Sequence, residues 1–283
     1  MLTSLDHFAI LVHDLSAAIE IFRALGFDVR AGGAHPAFGS HNALIALADE
    51  TYFELVAFQD TARAEQTFWR DAVHRLRVAP GFDNFVLLSS DLSTDISQLR
   101  ARGLAVSDAE SGARLRPDGE RVAFKVATIG ETRSGLLPFL IQDETPRALR
   151  VESARAGLGA QARVKQITIA AQNPEAAREK FQALFAIEAR RVQSTTGDAQ
   201  GYRFAFGNVS IVLAHPTRAQ NALSDQLEKR GEGLHAVTLG VENFNRARSE
   251  LVARGIKIEE DARGFLIAPK AACGARLRIV SAQ

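Results

Sequence analysis

The sequence predicts an α+β protein built from four copies of a module with the order βαβββ. Two observations lead to this fold class. A β-rich run followed by a helical pattern occurs four times along the 283 residues, and further strand-like runs follow the helical patterns. Because roughly 100–200 residues make one domain, a chain of this length contains about two domains. We therefore expect the four modules to pair two by two.

The first module shows the order of elements most clearly. Residues 5–12 form a β-rich run, and the helical pattern that follows begins at the capping residue Asp14 and ends at Gly26. Residues 42–47 and 52–58 then have the composition of strands. This segment therefore predicts a complete βαβββ module.

The same order begins again at three later points in the chain. The first strands of these modules are predicted at residues 82–88, 164–169 and 234–239, and a helical pattern follows each of them. Residues 63–77, between the first two modules, predict an additional helix that crosses from one module to the next. We expect the aromatic residues of this helix to serve packing.

A polar segment rich in small residues separates the two pairs of modules. The stretch from Asp143 to Ala160 lacks the alternation of a strand. We therefore predict a first domain at residues 1–145, a linker at residues 146–162 and a second domain at residues 163–283.

Composition and charge narrow the classes of function. Hydrophobic residues make up 46% of the chain and charged residues 24%, as in an ordinary globular protein. The net charge is only +1, so the chain lacks the positive field with which proteins hold nucleic acid. Cys273 is the only cysteine and cannot form a disulfide within the chain. We expect a cytoplasmic protein without nucleic acid partners.

Targeting signals and common cofactor motifs are also absent from the sequence. The N-terminus lacks the basic region and apolar run of a signal peptide, and no apolar run approaches the ~20 residues of a membrane-spanning helix. No G-x-S-x-G turn, phosphate-binding loop or dinucleotide-binding G-x-G-x-x-G motif is found. The sequence therefore predicts no membrane partner, no organic cofactor and no serine hydrolase chemistry.

Several short sequences in the first half are distinctive. They are Leu5-Asp6-His7, the stretch from Gly33 to Ile45, Tyr52-Phe53-Glu54-Leu55, Pro117-Asp118-Gly119 and Leu137-Pro138-Phe139-Leu140-Ile141. Together with the order of the elements, they resemble the vicinal oxygen chelate superfamily of glyoxalases and extradiol dioxygenases, and within it the glyoxalase-like domain proteins. The second half resembles the superfamily only in the βαβββ order of its modules. The resemblance implies two paired half-open β-barrel (glyoxalase-like) domains, each around a site.

The resemblance also implies a divalent metal, held by one side chain from the first strand and one from the last strand of each paired module. In the first module these positions carry His7 and Glu54, and an imidazole with a carboxylate suits Fe, Mn, Zn or Ni. In the second module they carry Asn84, a weak ligand, and Phe139 or Leu140. The alternative interpretation makes His7 a histidine at the edge of the core that is hydrogen-bonded to Glu54.

The third strand of the first module offers a further ligand or catalytic group. Alternation puts His41 and Asn42 on opposite faces of this strand, so only one of them can face the barrel interior. Glu54 needs a partner if it is buried, and a raised pKa would make it a general base. We predict Glu54 and His41 as catalytic residues, with Asn42 and the loop residue His35 as substrate contacts.

The second module offers two more substrate contacts, Arg121 and Phe139. Arg121 shares one face of a hairpin strand with Ala123 and Lys125. If that face lines the barrel, the substrate is anionic or rich in carbonyl groups; if it faces water, the strand is an ordinary solvated one. Phe139 stands at the position that corresponds to Glu54 in the first module.

The second domain is expected to be structural. Gln166 and His235 occupy its two first-strand positions, but no Glu occurs at the fourth-strand positions. A homodimer formed through an edge of its sheet remains an open alternative.

The leading hypothesis for function is a divalent-metal-dependent enzyme that acts on a small oxygen-rich substrate with carbonyl or diol groups. Lyase, isomerase and dioxygenase chemistry all fit, because each stabilises an oxyanion or chelates two oxygens. The competing hypothesis is a metal-free protein of the same fold that binds or sequesters a small molecule. The retained His7 and Glu54 favour the first hypothesis, and the missing carboxylate in the second module favours the other.

Overall fold

The structure, a computed structural model, describes residues 2–130, 135–194 and 197–282. The elements of its first half follow the predicted order. The first module comprises β1 (Leu2–Leu11), α1 (Leu15–Ala24), β2 (Arg30–His35), β3 (Ser40–Ala46) and β4 (Tyr52–Phe58). After α2 (Thr61–Ala64) and α3 (Arg70–Val78), the second module comprises β5 (Gly81–Ser89), α4 (Leu92–Ala101), β6 (Glu110–Leu115), β7 (Arg121–Thr128) and β8 (Phe139–Asp143).

The second half repeats this order after the short helix α5 (Arg147–Arg150). The third module comprises β9 (Ala162–Ala170), α6 (Pro174–Phe185), β10 (Arg190–Gln193), β11 (Ala199–Phe206) and β12 (Val209–Pro216). After α7 (Ala222–Lys229), the fourth comprises β13 (Gly233–Val241), α8 (Phe244–Ala253), β14 (Ile258–Asp261), β15 (Gly264–Ile267) and β16 (Leu277–Ser281). The prediction of four βαβββ modules is confirmed.

The crossing segment between the first two modules differs from the single helix that the sequence predicts. It is divided into α2 and α3 by a turn around Thr67. The Thr67 hydroxyl donates to the carbonyl of Ala64 at 2.8 Å and accepts from the backbone N–H of Trp69 at 3.1 Å. Such local bonds of a hydroxyl compete with the helical ladder. No helix in the described part of the chain is long and apolar enough to cross a membrane.

The eight strands of the first two modules form a closed barrel with the order β1-β4-β3-β2-β6-β7-β8-β5. β1 runs parallel to β4 and antiparallel to β5. On the far side, β2 meets β6 through the pair of Ala34 and Leu115. The predicted pairing of two modules in one barrel is confirmed, with the difference that this backbone pair closes the expected opening.

The strands of the last two modules form one open sheet with the order β10-β11-β12-β9-β13-β16-β15-β14. β9 and β13, the first strands of the two modules, pair antiparallel at its centre. The second pair of modules therefore shares a sheet, as the sequence predicts.

The barrel strand β4 is buried on both faces. On β4, Phe53 and Leu55 point outward into a hydrophobic cluster that includes α1, α4 and residues of the second domain. Val56 points inward and joins a second cluster that includes Phe124 and the buried side of α3. The sequence of a strand without a solvent-facing side is a nearly continuous run of apolar residues. A polar side chain on the inner face, such as Glu54, therefore stands out against its neighbours.

Candidate functional site

The barrel of the first domain encloses a cavity of about 60 Å³. A single water needs roughly 10–15 Å³ of such space, so the cavity holds several atoms of a ligand. One end of the cavity is polar, and the other is lined by aromatic and aliphatic side chains. The lining residues of the polar end are His7, His35, Asn42, Tyr52, Glu54, Asn84, Arg114 and Arg150.

Two adjacent parallel strands bring His7 and Glu54 into the cavity. In the ladder of β1 and β4, His7 pairs with Tyr52 and Ala9 pairs with Glu54. Alternate residues share a face, so all four side chains point inward. The two polar groups meet there, with His7 Nε2 at 3.3 Å from Glu54 Oε2.

The second module repeats this geometry with different side chains. In the parallel ladder of β5 and β8, Val86 pairs with Phe139. Phe139 therefore stands two residues beyond Asn84 in register, as Glu54 stands two residues beyond His7. The structure thus settles the choice between Phe139 and Leu140, and Phe139 lines the cavity.

A β-bulge in β1 places Asp6 beside His7. The pairing with β5 advances from Leu5 to His7 while β5 advances by one residue, so Asp6 is the extra residue. Bulges re-aim side chains in this way. The fully buried Asp6 Oδ1 lies 2.6 Å from His7 Nδ1. The imidazole therefore lies between two carboxylates, those of Asp6 and Glu54.

Asp6 is in turn held by two arginines of the segment after the barrel. Arg150 donates from Nη1 and Nη2 to the two oxygens of Asp6, at 2.8 Å each. Arg147 also donates to Asp6, and Arg150 makes further hydrogen bonds to Asp143. The negative charges behind His7 are thus matched by two guanidinium groups.

Glu54 accepts a second hydrogen bond, from Asn42 on the neighbouring strand. Asn42 Nδ2 lies 2.6 Å from Glu54 Oε1. Asn42 is the residue of β3 that faces the cavity, and the alternation of the strand leaves His41 outside. His41 is partly exposed there, and partial burial lowers its pKa, against the carboxylate of Asp14, which raises it. The structure thus gives the predicted catalytic residue His41 no contact with the cavity.

The electrostatics favour the charged forms of Glu54 and His7. Burial alone would raise the pKa of Glu54, but the hydrogen bond and charge of His7, with smaller contributions from His35 and Asn42, lower it to about 2. Burial likewise opposes the charge on His7, while the hydrogen bonds that its imidazole donates to Asp6 and Glu54 raise its pKa. The two groups therefore form a buried ion pair.

His35 has the opposite character, although it lines the same cavity. Burial lowers the pKa of His35 to about 4, against the charge of Glu54, which raises it. Its Nδ1 lies 3.3 Å from the hydroxyl of Ser40, and its ring meets that of Phe124 edge to face at 6.3 Å between centroids. His35 is therefore a neutral donor and acceptor at pH 7.

Tyr52 is a polar residue of the cavity that sequence reasoning missed. Its ring stacks on His7 with 4.6 Å between centroids, and its hydroxyl accepts a hydrogen bond from Arg150 Nη1 at 2.5 Å. Burial raises the pKa of Tyr52 above its usual value. Its place two residues before Glu54, on the same face of the strand, is the sequence signal that would have indicated it.

The apolar end of the cavity is built mainly of aromatic rings. Phe139, a predicted substrate contact, meets Phe68 edge to face at 5.6 Å between centroids. Phe68 and Trp69, which lie between α2 and α3, pack against it and line the cavity. The aromatic residues of the crossing segment pack, as expected, and they also line the cavity. The remaining apolar lining residues are Ala9, Phe38, Val86, Phe124, Val126 and Ile141.

The predicted contact Arg121 lies outside the cavity. It is exposed at the start of β7, and Lys125 on the same face lies 3.4 Å from Glu144 in an ion pair. Phe124 and Val126 are the residues of β7 that face inward. The structure thus agrees with the alternative in which the face of β7 that carries Arg121 is turned toward solvent. The arginines that line the cavity are Arg114 and Arg150.

In the second domain, the two polar first-strand residues bond to their neighbours. His235 Nδ1 lies 2.7 Å from Gln226 Oε1, and Gln166 Nε2 donates to the hydroxyl of Thr168 at 3.3 Å. Burial, together with the charge of Arg276, lowers the pKa of His235 to about 3. Both side chains therefore bond within the domain, and its structural role stays a prediction.

The donor set at the polar end does not fit a divalent metal. His7 and Glu54 supply two donors, and Phe139 supplies none. Asn84 donates to the carbonyl of Leu137 at 3.2 Å and accepts from the backbone N–H of Phe85 at 2.7 Å. Within residues 2–130, 135–194 and 197–282, no three His, Cys, Asp or Glu side chains are grouped so that they could hold an ion.

Comparisons with known proteins agree with the fold. The solved structure of a hypothetical protein from Staphylococcus aureus superposes with a TM-score of 0.70 at 14% identity, and the match covers 98% of each chain. A triple mutant of 4-hydroxymandelate synthase from Streptomyces coelicolor superposes with a TM-score of 0.65 at 12% identity, covering 99% of this chain and 92% of that one. Among curated proteins, no sequence matches this chain.

Family comparisons match both halves of the sequence. Residues 165–267 match the Glyoxalase/Bleomycin resistance protein/Dioxygenase superfamily. Residues 5–185, which include every lining residue of the cavity, match the family described as Glyoxalase-like domain. The resemblance predicted from the short sequences of the first half is therefore confirmed, and the chain belongs to the Glyoxalase-like domain family.

Proposed function

We propose that the barrel of the first domain binds a small, largely apolar molecule through an oxygen-bearing group, without a resident divalent metal. The observation that carries this proposal is the division of the cavity. His7, Glu54 and Asn42 converge at one end, and the rings of Trp69 and Phe139 line the other. Ligand sites are typically apolar cavities with a few convergent polar groups of this kind.

The charge state of Glu54 favours binding over proton transfer. A general base works best when its pKa lies near the working pH. The pKa of Glu54 is lowered to about 2, with hydrogen bonds from His7 and Asn42 among the causes. Such a carboxylate is a strong hydrogen-bond acceptor and a weak base. We therefore assign Glu54 the role of orienting a ligand and holding His7 and Asn42 in place.

A metal-dependent enzyme acting on a small carbonyl or diol substrate is the second candidate. One observation favours it: His7 Nε2 and Glu54 Oε2 lie 3.3 Å apart and face the same cavity. Two donors with this separation can share an ion, although an ion would need further donors from a substrate or from water.

Two measurements on untagged protein separate the candidates. We expect elemental analysis to find no stoichiometric transition metal, and we expect titration calorimetry in EDTA to detect binding of a probe from the set benzoate, benzamide, acetophenone and benzyl alcohol. Asn42→Ala should weaken binding at least tenfold. His41→Ala, its neighbour on the outer face of β3, is the matched control and should leave affinity unchanged.

The opposite results would overturn the proposal. A stoichiometric metal that is lost from the His7→Ala, Glu54→Ala double variant would establish the second candidate. Probe binding that responds to His41→Ala and not to Asn42→Ala would place the ligand outside the cavity.

A further inference from the structure

Arg114 is a buried cation at the polar end of the cavity. It lies on β6 and is only 4% exposed. Its Nη2 donates to the backbone carbonyl of Arg150 at 2.7 Å, and its Nε has no partner among the residues that the structure describes. Taking an ionised group out of water without a counter-charge is costly, so a buried guanidinium normally has a carboxylate partner.

The carboxylates around the cavity are already used by other cations. Asp6 and Asp143 bond to Arg150, and Asp6 also bonds to Arg147. Glu54 is occupied by His7 and Asn42. Three carboxylates thus face four cationic groups, and Arg114 is the one for which the described chain supplies no carboxylate within ion-pair distance.

Arg114 also borders a second hollow, next to Arg30 and Arg116. Those two arginines do have partners. Arg30 pairs with Glu152, and Arg116 pairs with Asp118 at 2.9 Å and lies 3.8 Å from Glu152. Of the arginines that border the two hollows, Arg114 alone has no carboxylate within ion-pair distance among the described residues.

Asn42 provides a second unpaired group close to Arg114. Its Oδ1 is buried and accepts no hydrogen bond from the described residues. A methyl group placed on Gly32 would lie 2.0 Å from this oxygen and 3.2 Å from Arg114 Nη1. Both side chains therefore reach over the bare backbone of Gly32. The unpaired Nε–H of Arg114 needs an acceptor, which a ligand in the cavity can supply, whereas Asn42 Oδ1 needs a donor.

We infer that Arg114 is an anion subsite and that the ligand of the first barrel is a small aromatic or aliphatic carboxylic acid, whose carboxylate lies on Arg114. The inference rests on the proposed binding function and names its ligand class. A guanidinium donates two parallel hydrogen bonds to a carboxylate, which an uncharged amide of the same shape cannot match. The apolar body of the acid would lie against Trp69 and Phe139.

Matched acids and amides test this inference in titration calorimetry at pH 7 with EDTA. The probes are benzoate with benzamide and phenylacetate with phenylacetamide. We expect wild-type protein to bind the acid of each pair about tenfold or more tightly than the amide, since a hydrogen bond to a charged group is the stronger one. Arg114→Met should abolish this preference while amide binding persists. Arg121→Met, at an exposed arginine of the same hairpin, should keep it.

Stability provides an independent readout. Removing an unpaired buried cation should keep or raise the thermal midpoint of ligand-free Arg114→Met, whereas removing a structural ion pair would lower it. If Arg114→Met does not fold, Arg114→Lys replaces it and should reduce the acid preference severalfold, because a lysine cannot form the two parallel bonds.

Failure of the anion subsite can be distinguished from failure of the proposed binding function. Equal affinity of wild-type protein for acids and amides, or an acid preference that survives in the Arg114 variants, would overturn the anion subsite and leave the binding function intact. Absence of binding for all four probes, together with a stoichiometric metal, would overturn the proposed function itself.

Discussion

Arg150 and Asp6, which are 144 residues apart in the chain, form a doubly hydrogen-bonded ion pair with both bonds at 2.8 Å. The pair connects the segment after the first barrel to its first strand. Asp6 then holds His7, so the orientation of the imidazole in the cavity depends on an arginine of α5, the helix that follows the barrel strands. Positioning of an imidazole by a carboxylate fixes which of its nitrogens faces the ligand.

Replacing Arg150 should destabilise the protein strongly. Arg150→Met leaves the fully buried Asp6 with Arg147 as its remaining guanidinium partner, and breaking a buried pair from one side costs about 3–5 kcal/mol. Arg121→Met, at an exposed position, should change the free energy of unfolding by less than about 0.5 kcal/mol. Urea denaturation measures both. A loss as small as that of the Arg121 control would show that Asp6 does not depend on Arg150.

The sequence predicted the modules, the barrel and the His7–Glu54 pair because local pattern and resemblance carry that information. It did not predict Arg150, since a segment without strand alternation gives no sign of a partner 144 residues away. On β6, residue polarity alone would predict a buried Leu115 and an exposed Arg114. In the structure Leu115 is 46% exposed, whereas Arg114 is buried. The register of the closed barrel, which is a tertiary property, decides which of the two faces inward.

Acid should remove the stabilisation that Glu54 provides. The folded pKa of about 2 lies below the ordinary value of 4.5, so this contribution is complete above about pH 4.5 and is lost as the pH falls toward 2. A shift of this size corresponds to about 3 kcal/mol. Urea denaturation between pH 2 and 6 should therefore show a smaller acid loss for Glu54→Gln than for wild-type protein. If the free energies of unfolding of the two proteins fall in parallel as the pH is lowered, the pKa of Glu54 is not lowered by folding.

The two histidines of the cavity should titrate on opposite sides of 6.5. The pKa of His7 is raised, so its stabilisation is complete below about pH 6.5 and is lost as the pH rises through its folded value. The pKa of His35 is lowered to about 4, so its neutral form stabilises the fold above about pH 6.5, and this is lost as the pH falls toward 4.

NMR of the imidazole protons measures both values, with His7→Gln and His35→Gln assigning the signals. We expect one cavity histidine that is charged at pH 6.5 and one that is neutral. Two titrations near 6.5 would mean that neither imidazole is held as the structure places it.

Gly32 should be intolerant of a side chain for a specific reason. An alanine methyl would lie 2.0 Å from Asn42 Oδ1, so Gly32→Ala must displace Asn42 from Glu54. We expect a loss of about 1–3 kcal/mol, as for other overpacked sites, and weaker probe binding. In the double variant Gly32→Ala, Asn42→Ala the clash is gone, so the two losses in stability should not add. Additive losses would show that the two residues do not meet.

Adding two donors in the second module should create a four-donor metal site in the barrel. Phe139 stands in register to Asn84 as Glu54 stands to His7, so Asn84→His with Phe139→Glu would complete a set of two imidazoles and two carboxylates. We expect this double variant to bind Zn²⁺ or Mn²⁺ at least tenfold more tightly than wild-type protein in calorimetry, because a four-donor set replaces a two-donor one. The same variant carrying His7→Ala is the control and should lose the gain. If wild-type protein already binds as tightly as the double variant, its two donors suffice, and the cavity of this family member is a metal centre after all.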